Sequence, residues 1–288
     1  MKKTVSLWFD GGGRYGFGNV RRSLELGSRL CELGHDVSFC PLSEEAARLA
    51  KTAKPLQAKR ADIVVLDLPY AGDYWLQRAQ ADGARVLALD YEGEGEPELV
   101  VSLQAVRGLP PSARHLVGIE YAVVRSEFKR VKKAGDVSGP VLVLLGGGAS
   151  AENSARIVRR VARLAKSVVL VQGPLAETLA DLPGNVRVVI TPENLAELMA
   201  SCAWAVTTGG TSLLEFLYLA RPVYALPRTA EEAVFSATIA ARGALLGVGE
   251  ETLQTPTLES CIKCMTIGSA LVDGAGCERI GNLITTLT

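Results

Sequence analysis

The chain has 288 residues, 48% hydrophobic and 22% charged, a composition typical of a globular protein with one large or two medium domains. Its 31 basic residues balance 31 acidic ones, so no net charge would attract nucleic acid or an anionic membrane, and any anion site must be local. The apolar run after "MKK" is too short for a signal peptide, and no later apolar run is long enough to span a membrane. We therefore expect a soluble, cytoplasmic protein that does not bind nucleic acid.

Cysteine usage indicates a reducing compartment. The six cysteines are scattered between Cys31 and Cys277, without the spacing of a disulfide framework. The segment "CIKC" (261–264) has the spacing of a zinc or redox pair, but a zinc site would need two further nearby ligands, and a redox pair would start a helix after a strand. Because this segment lies inside a helical pattern, we expect both cysteines to be structural. We expect no metal and no cofactor.

The first half of the chain alternates strand and helix patterns. Short β-branched apolar runs predict strands at "TVSLWF", "DVSFC", "DIVVLDL", "RVLALD" and "LVVSL". Amphipathic stretches predict helices that begin near Val20, Glu44 and Tyr74 and end before Gly34, Lys54 and Gly83. This order predicts a parallel sheet with helices on both faces.

The second half repeats this pattern. Strands are predicted at "PVLVLL", "SVVLVQ", "VRVVI", "AWAVTT" and "PVYALP", and helical sequence runs to the end of the chain. A charge-rich segment that ends in Gly and Pro, "FKRVKKAGDVSGP" (128–140), separates the halves, so we predict domains over residues 1–136 and 137–288. The predicted fold class is α/β, with two Rossmann-like domains whose parallel sheets face a cleft.

The glycine-rich loop "GGGRYGFGN" (11–19) connects a strand to a helix. It lacks the acidic residue and spacing of a dinucleotide fingerprint, and no Gly-Lys-Ser/Thr of a P-loop follows. One interpretation is a tight turn that needs glycine only for its conformation. The other is a ligand loop, because such loops bind ligands in open α/β sheets; it would present Asp10, Tyr15, Gly16, Gly18 and Asn19.

Two glycine turns in the second half stand at predicted helix starts, where free N–H groups and the helix dipole favour a phosphate. Their residues are Gly146, Gly147, Gly148, Gly209, Gly210, Thr211 and Ser212. Glu215 follows early in the second helix, where it could accept ribose hydroxyls or be an ordinary helix-start charge. The backbone at Asn194–Leu195 could contact a base, although a helix cap is the alternative there.

Asp67 and Asp90 end two strands that we expect to be neighbours. Carboxylates at the carboxyl ends of parallel strands lie at the same edge of a sheet, where they could orient a water molecule or hold a sugar hydroxyl. Capping of the loops that follow is the alternative.

Several segments together resemble one family. They are "YGFGNVRRSLELGSRLCELGHDVSF", "DIVVLD" with "VLALD", "GIEYAVVRSEF", "LLGGGAS", "ENLAELM" and "ALVDGAGCERI". In order and spacing, over nearly the whole chain, they resemble the PseG/SpsG-type UDP-sugar hydrolases of pseudaminic acid and spore-coat polysaccharide biosynthesis. That family has the GT-B architecture and is similar to the glycosyltransferase that forms lipid II.

The resemblance implies a division of labour between the two halves. The second half would bind the nucleotide, with 146–148 and 209–212 at the diphosphate, Glu215 at the ribose and the turn 193–195 at the uracil. The first half would hold the acceptor, which is water or another nucleophile.

This sequence departs from the family at two places. The family has a histidine base where this chain has Asn19, and asparagine cannot exchange a proton at neutral pH. The family commonly has Asn-Gln where this chain has Glu231 and Glu232, whose charges would repel a diphosphate unless they turn outward or the ligand differs.

The sequence therefore predicts an enzyme that binds a nucleotide-sugar, with UDP-sugar as the expected ligand, and releases nucleotide by hydrolysis or glycosyl transfer in surface-polysaccharide or nonulosonic-acid-type biosynthesis. The candidate catalytic residues are Asn19, Asp10, Asp67 and Asp90. The alternative is a nucleotide-sugar-binding or regulatory protein that lacks the histidine base and has lost turnover.

Overall fold

The computed structural model describes residues 2–12, 15–51, 60–104, 112, 114–133, 135–146, 150–173, 179 and 181–287. The chain divides into two compact units: Met1–Arg125 together with Gly274–Thr288, and Ser126–Asp273. The sequence-based boundary at 136 lies inside the second of these units. The C-terminal segment, which the sequence analysis assigned to the second domain, groups with the first unit.

Strands and helices alternate through the described residues. The strands are β1 (Thr4–Phe9), β2 (Asp36–Pro41), β3 (Ile63–Asp67), β4 (Arg85–Leu89), β5 (Leu99–Ser102), β6 (His115–Val117), β7 (Val141–Leu144), β8 (Val168–Gln172), β9 (Val186–Ile190), β10 (Ala205–Thr207), β11 (Val223–Ala225) and β12 (Gly247–Val248). The helices are α1 (Gly18–Glu32), α2 (Glu44–Leu49), α3 (Asp73–Ala81), α4 (Ser126–Lys129), α5 (Ala151–Ala162), α6 (Leu195–Ala200), α7 (Thr211–Tyr218), α8 (Ala230–Ala241), α9 (Leu258–Leu271) and α10 (Gly276–Thr286).

The first unit is built on a parallel six-stranded sheet in the order β2-β1-β3-β4-β5-β6. In β1, Val5, Leu7 and Phe9 point to the face that α1 and α10 cover, and Trp8 points to the face that α3 covers. This alternation follows from the two-residue period of a strand, and burial on both faces explains why the strand sequences are almost continuously apolar.

The second unit contains another parallel six-stranded sheet, in the order β12-β11-β10-β7-β8-β9. Its core combines Val141 and Val143 of β7 with Ile157, Val158 and Val161 of α5. The α5 helix begins at a serine N-cap, because the Ser150 hydroxyl accepts from the Asn153 N–H. The predicted fold class, with two Rossmann-like domains built on parallel sheets, is confirmed.

Two edge strands were not predicted. β6 and β12 are only three and two residues long, respectively. Each is parallel to the strand beside it, β5 or β11. Cys261 and Cys264 are buried within helix α9, as expected for structural residues. No helix in the described part of the chain is long and apolar enough to cross a membrane.

Candidate functional site

Each sheet has one position where the chain reverses its direction of strand addition. In the first sheet this position lies between β1 and β3, and in the second between β7 and β10. In open α/β sheets, ligands bind beyond the carboxyl ends of the strands at such positions, because the connecting loops diverge there and leave a crevice. Asp10 and Asp67 stand at this edge of the first sheet, and Gly146 and Gly209 at this edge of the second.

Asp67 is the centre of a hydrogen-bonded cluster in the first unit. Its side chain is fully buried, and its Oδ1 accepts from Asn19 Nδ2 at 2.7 Å. The Arg22 guanidinium donates to both carboxylate oxygens, through Nη2 at 2.5 Å and Nε at 3.0 Å, and Ser23 Oγ donates at 2.9 Å. Because its oxygens already accept four hydrogen bonds, Asp67 is better suited to positioning Asn19 than to accepting a proton from a substrate.

Arg22 joins the two strand-end acids that the sequence analysis selected. Its Nη1 donates to Asp90 Oδ2 at 2.5 Å, and Asp90 Oδ1 accepts from the Leu103 N–H at 3.2 Å. Burial alone would lower the pKa of Arg22, but the charges and hydrogen bonds of Asp67 and Asp90 raise it above its usual value. The backbone of Asp90 is in the left-handed region, with φ of 48°, a conformation that aspartate tolerates better than most residues.

Asp10 is the second acidic centre of the first unit. Its Oδ1 accepts from the Gly11 N–H at 2.8 Å and from Ser43 Oγ at 2.6 Å, and its Oδ2 accepts from the Tyr70 hydroxyl at 2.9 Å. Burial, followed by the hydrogen bond to Asp10, raises the pKa of Tyr70, so the phenol stays protonated at neutral pH. The ring of Tyr15 lies 5.9 Å from that of Tyr70, and Tyr15 is 39% exposed. Asp10 is thus a half-buried carboxylate beside a pair of aromatic rings.

The backbone of the first glycine loop bonds largely to itself. Gly12 donates to the Gly16 carbonyl at 2.7 Å, and the N–H groups of Tyr15 and Gly16 both donate to the Gly12 carbonyl. Gly16 has φ of 76°, where glycine is favoured, and Gly18 begins helix α1. Since these three amides are engaged within the loop, they are not free to bind a phosphate. The side chains at its two ends, Asp10 and Asn19, are the better candidates for ligand contact.

The second unit brings its two glycine turns to adjacent strand ends. Gly146 follows β7, while Gly209 and Gly210 follow β10 and lead into α7 with Thr211 and Ser212 in its first turn. The Thr207 hydroxyl donates to the Leu144 carbonyl at 2.8 Å and ties the two strand ends together. Gly147 and Gly148 lie outside the described residues.

A cavity of about 520 Å³ lies at these strand ends. Leu145, Ser150, Arg156, Thr208, Arg228 and Glu250 are among its lining residues. Arg156 pairs with Glu250 and donates to Asn153 Oδ1 at 2.6 Å. The Arg228 guanidinium lies 3.8 Å from the point where a Cβ on Gly146 would stand. The volume suits a small-molecule ligand, and the charges of Arg156 and Arg228 together exceed that of Glu250, which favours an anionic ligand.

The remaining predicted nucleotide residues have different environments. Glu215, in the second turn of α7, is only 2% exposed. Asn194 is the N-cap residue of α6, which begins at Leu195, but its side chain makes no capping hydrogen bond. Contacts of these three residues with ribose and base therefore stay predictions.

The two glutamates of α8 face different ways. Glu231 is exposed, whereas Glu232 is half-buried and bonds to the backbone N–H of Gly209. The sequence left open whether these carboxylates turn outward or the ligand differs. The outward orientation holds for Glu231 alone.

Sequence reasoning missed three arginines, Arg22, Arg156 and Arg228. For Arg22 a signal was present, because Asn19, Arg22 and Ser23 are spaced i, i+3, i+4 and therefore share one face of α1. For the other two, only the folded chain brings their side chains to the glycine turns.

Comparisons with known proteins identify the architecture. MurG from Acinetobacter baumannii has a TM-score of 0.63 and 14% identity, covering 99% of this chain and 100% of that chain. A glycosyltransferase from Rickettsia africae has a TM-score of 0.65 and 10% identity, covering 100% of both. S. aureus MnaA, solved with UDP, has a TM-score of 0.64 and 12% identity, covering 99% of this chain and 96% of that one. No protein-family model and no curated protein sequence matches this chain.

These similarities show that the chain has the GT-B fold, with two Rossmann-like domains. At such low identity they show the fold alone, so the activity must be argued from the residues of each unit.

Proposed function

We propose that this chain is a nucleotide-sugar-processing enzyme whose second unit binds the nucleotide part of the donor. The observation that carries the proposal is the pair of glycine turns at the β7 and β10 strand ends, beside a cavity of about 520 Å³ lined by Arg156 and Arg228. Glycine backbone at strand ends and guanidinium groups are features that proteins commonly use to bind phosphate. The glycosyltransferases and the UDP-bound protein among the structural matches support the same ligand class.

UDP-sugar is the specific donor that we propose. The cavity residues account for the phosphate, Glu215 would accept the ribose hydroxyls, and the backbone at Asn194–Leu195 would meet the base. The pathway that we propose, surface-polysaccharide or nonulosonic-acid-type biosynthesis, rests on the resemblance to the PseG/SpsG-type family.

The first unit would hold the acceptor. Among the three candidate acids, Asp10 is the best general base, because the Asp67 carboxylate already accepts four hydrogen bonds and Asp90 is paired with Arg22. Asn19, fixed by Asp67, would orient the acceptor through its amide. Attack at the anomeric carbon would release the nucleotide, whether the nucleophile is water or a hydroxyl of an acceptor.

The alternative function is binding without turnover. It is favoured by one observation: Asn19 occupies the position where the resemblance places a histidine base. The two functions share a ligand and differ only in whether nucleotide is released.

Calorimetric titration followed by an activity assay separates them. We expect UDP to bind to the purified protein and to raise its Tm, and incubation with a panel of UDP-sugars, with and without sugar acceptors, to release UDP. Binding of UDP without any release would favour the binding function. If neither UDP nor CMP binds, both functions are wrong.

Asn19→His tests the missing base directly. An imidazole at this position could donate one ring N–H to Asp67, which now accepts from Asn19 Nδ2 at 2.7 Å, and its other ring nitrogen would be free to accept a proton. We expect UDP-sugar hydrolysis to appear or rise in this variant, with Asn19→Gln as the control that carries an amide. If Asn19→His gains no hydrolysis, a base at this position is not sufficient for UDP-sugar hydrolysis.

A further inference from the structure

Helix α8 begins with two glutamates in different environments. Glu231 is exposed, and its neighbour Glu232 turns toward the glycine turn that follows β10. Glu232 Oε2 accepts from the Arg228 N–H at 2.7 Å and from the Gly209 N–H at 3.3 Å. Its carboxylate therefore bridges the loop before α8 and the loop before α7.

These contacts differ from those of an ordinary helix cap. Thr229 is the N-cap of α8, and its hydroxyl accepts from the Glu232 N–H at 3.1 Å. In a capping box the acid at this position would return its carboxylate to the N–H of the N-cap residue. Here the carboxylate bonds one residue earlier, to Arg228, and across to Gly209. Backbone N–H groups of this kind are the donors with which glycine turns bind phosphate.

A second observation points to a polar ligand at the same turn. Ser236 is fully buried, and its Oγ has no hydrogen-bond partner among the described residues. It lies against the turn, 2.9 Å from the point where a Cβ on Gly209 would stand. A buried hydroxyl without a partner costs free energy, so it is expected where a ligand or a bound water completes the hydrogen bonding.

The charge at this turn sets a preference among ligands. A carboxylate and a phosphate compete for the same amide donors and repel each other at short distance. Arg228 and Arg156, which line the adjacent cavity, favour an anion, but a second phosphate that approached Gly209 would meet the charge of Glu232.

We propose that Glu232 is a specificity-determining residue of the nucleotide site: its carboxylate occupies the Gly209 donor and weakens, without abolishing, the binding of the second phosphate of a nucleoside diphosphate. The proposal rests on the proposed function, because it assigns that site to a nucleotide. Removal of the Glu232 charge is expected to strengthen the binding of a diphosphate more than that of a monophosphate.

Glu232→Gln tests this, with Glu231→Gln as the matched control. The two variants each remove one negative charge, at consecutive positions of α8; Glu232 accepts from the Gly209 N–H of the turn, whereas Glu231 is exposed. The glutamine can still accept from the Arg228 N–H, so α8 is expected to keep its start, and the Tm of each variant checks this. Calorimetric titrations at low salt measure the Kd of UDP, UMP, uridine and inorganic pyrophosphate for all three proteins.

We expect Glu232→Gln to tighten UDP and pyrophosphate binding about tenfold, UMP binding less, and uridine binding not at all, while Glu231→Gln leaves all four unchanged. An equal gain in both variants, no gain, or weaker UDP binding in Glu232→Gln would each overturn the proposal. If Glu232→Gln gains pyrophosphate binding but no protein binds a nucleotide, the proposed function fails and the anion preference stands. If all three proteins bind UDP equally, the proposed function survives and this proposal fails.

Discussion

Asp67→Asn should strongly destabilise the first unit. The substitution keeps the shape of the side chain but removes its charge and replaces one carboxylate oxygen with an NH₂ group. Asp67 is fully buried and accepts from Asn19, Ser23 and, twice, Arg22. The new NH₂ group would face N–H or O–H donors, and the Arg22 guanidinium would keep only Asp90 as its ion-pair partner.

The expected cost is at the lower end of the range for breaking a buried ion pair, about 3 kcal/mol, because Asp90 still compensates part of the Arg22 charge. For a protein of this size that corresponds to a fall in Tm of roughly 6–12 °C. Differential scanning calorimetry measures this fall, and tryptophan fluorescence, to which the buried Trp8 of the same unit contributes, is an independent probe.

Asp62→Asn is the matched control. Asp62 stands just before β3, whereas Asp67 ends this strand. The Asp62 carboxylate accepts two hydrogen bonds, both from Thr4, at an exposed position. We expect the Tm of the Asp62→Asn variant to lie no more than about 2 °C below that of the wild type. Equal shifts for the two variants would refute the assignment of Asp67 as the anchor of the cluster.

Three further outcomes follow from individual residues. Because the pKa of Tyr70 is raised by burial and by Asp10, its contribution to stability is fully present below pH ~10 and is lost above it. The Tm difference between wild type and Tyr70→Phe should therefore shrink as the pH rises above 10; a constant difference between pH 8 and 11 would contradict this. A thiol reagent should modify one cysteine of the native protein, the exposed Cys31, and all six after denaturation; fast reaction of a second native thiol would show that a buried cysteine is accessible. Gly276→Ala should destabilise the first unit by about 1–3 kcal/mol, because the new Cβ would stand 2.2 Å from the Ala122 carbonyl oxygen; an unchanged calorimetric profile would contradict that packing.

Most of the strands that the sequence predicted are buried, although β9, predicted from a similar apolar run, is largely exposed. β1, β3 and β8 have five or six residues, most of them apolar and buried, and such strands are typical of a sheet covered on both faces. β6 and β12 escaped prediction because "HLV" and "GV" carry no periodic signal. Their strand conformation comes from the neighbouring strand and not from their own sequence.

The candidate site was predictable to the extent that it depends on strand ends. Parallel strands bring Asp67 and Asp90 to one edge, and the structure joins them through Arg22. The arginine itself could not be placed, because the direction of a helix face depends on tertiary packing. The same holds for the glutamates of α8: the sequence shows two adjacent carboxylates, and only the start of the helix decides that Glu232 turns inward.

The assignment of α10 to the first unit has a consequence for synthesis of the protein. The second unit is one continuous segment, Ser126–Asp273, so all of its residues leave the ribosome consecutively. The core of the first unit includes Cys277, Ile280 and Ile284 of α10, and Gly281 lies against Leu33, the C-cap residue of α1. A nascent chain that has produced only the N-terminal sheet would therefore lack part of this core, and would expose apolar surface to aggregation, until α10 is made. Synthesis of the first unit therefore starts before that of the second unit and is completed after it.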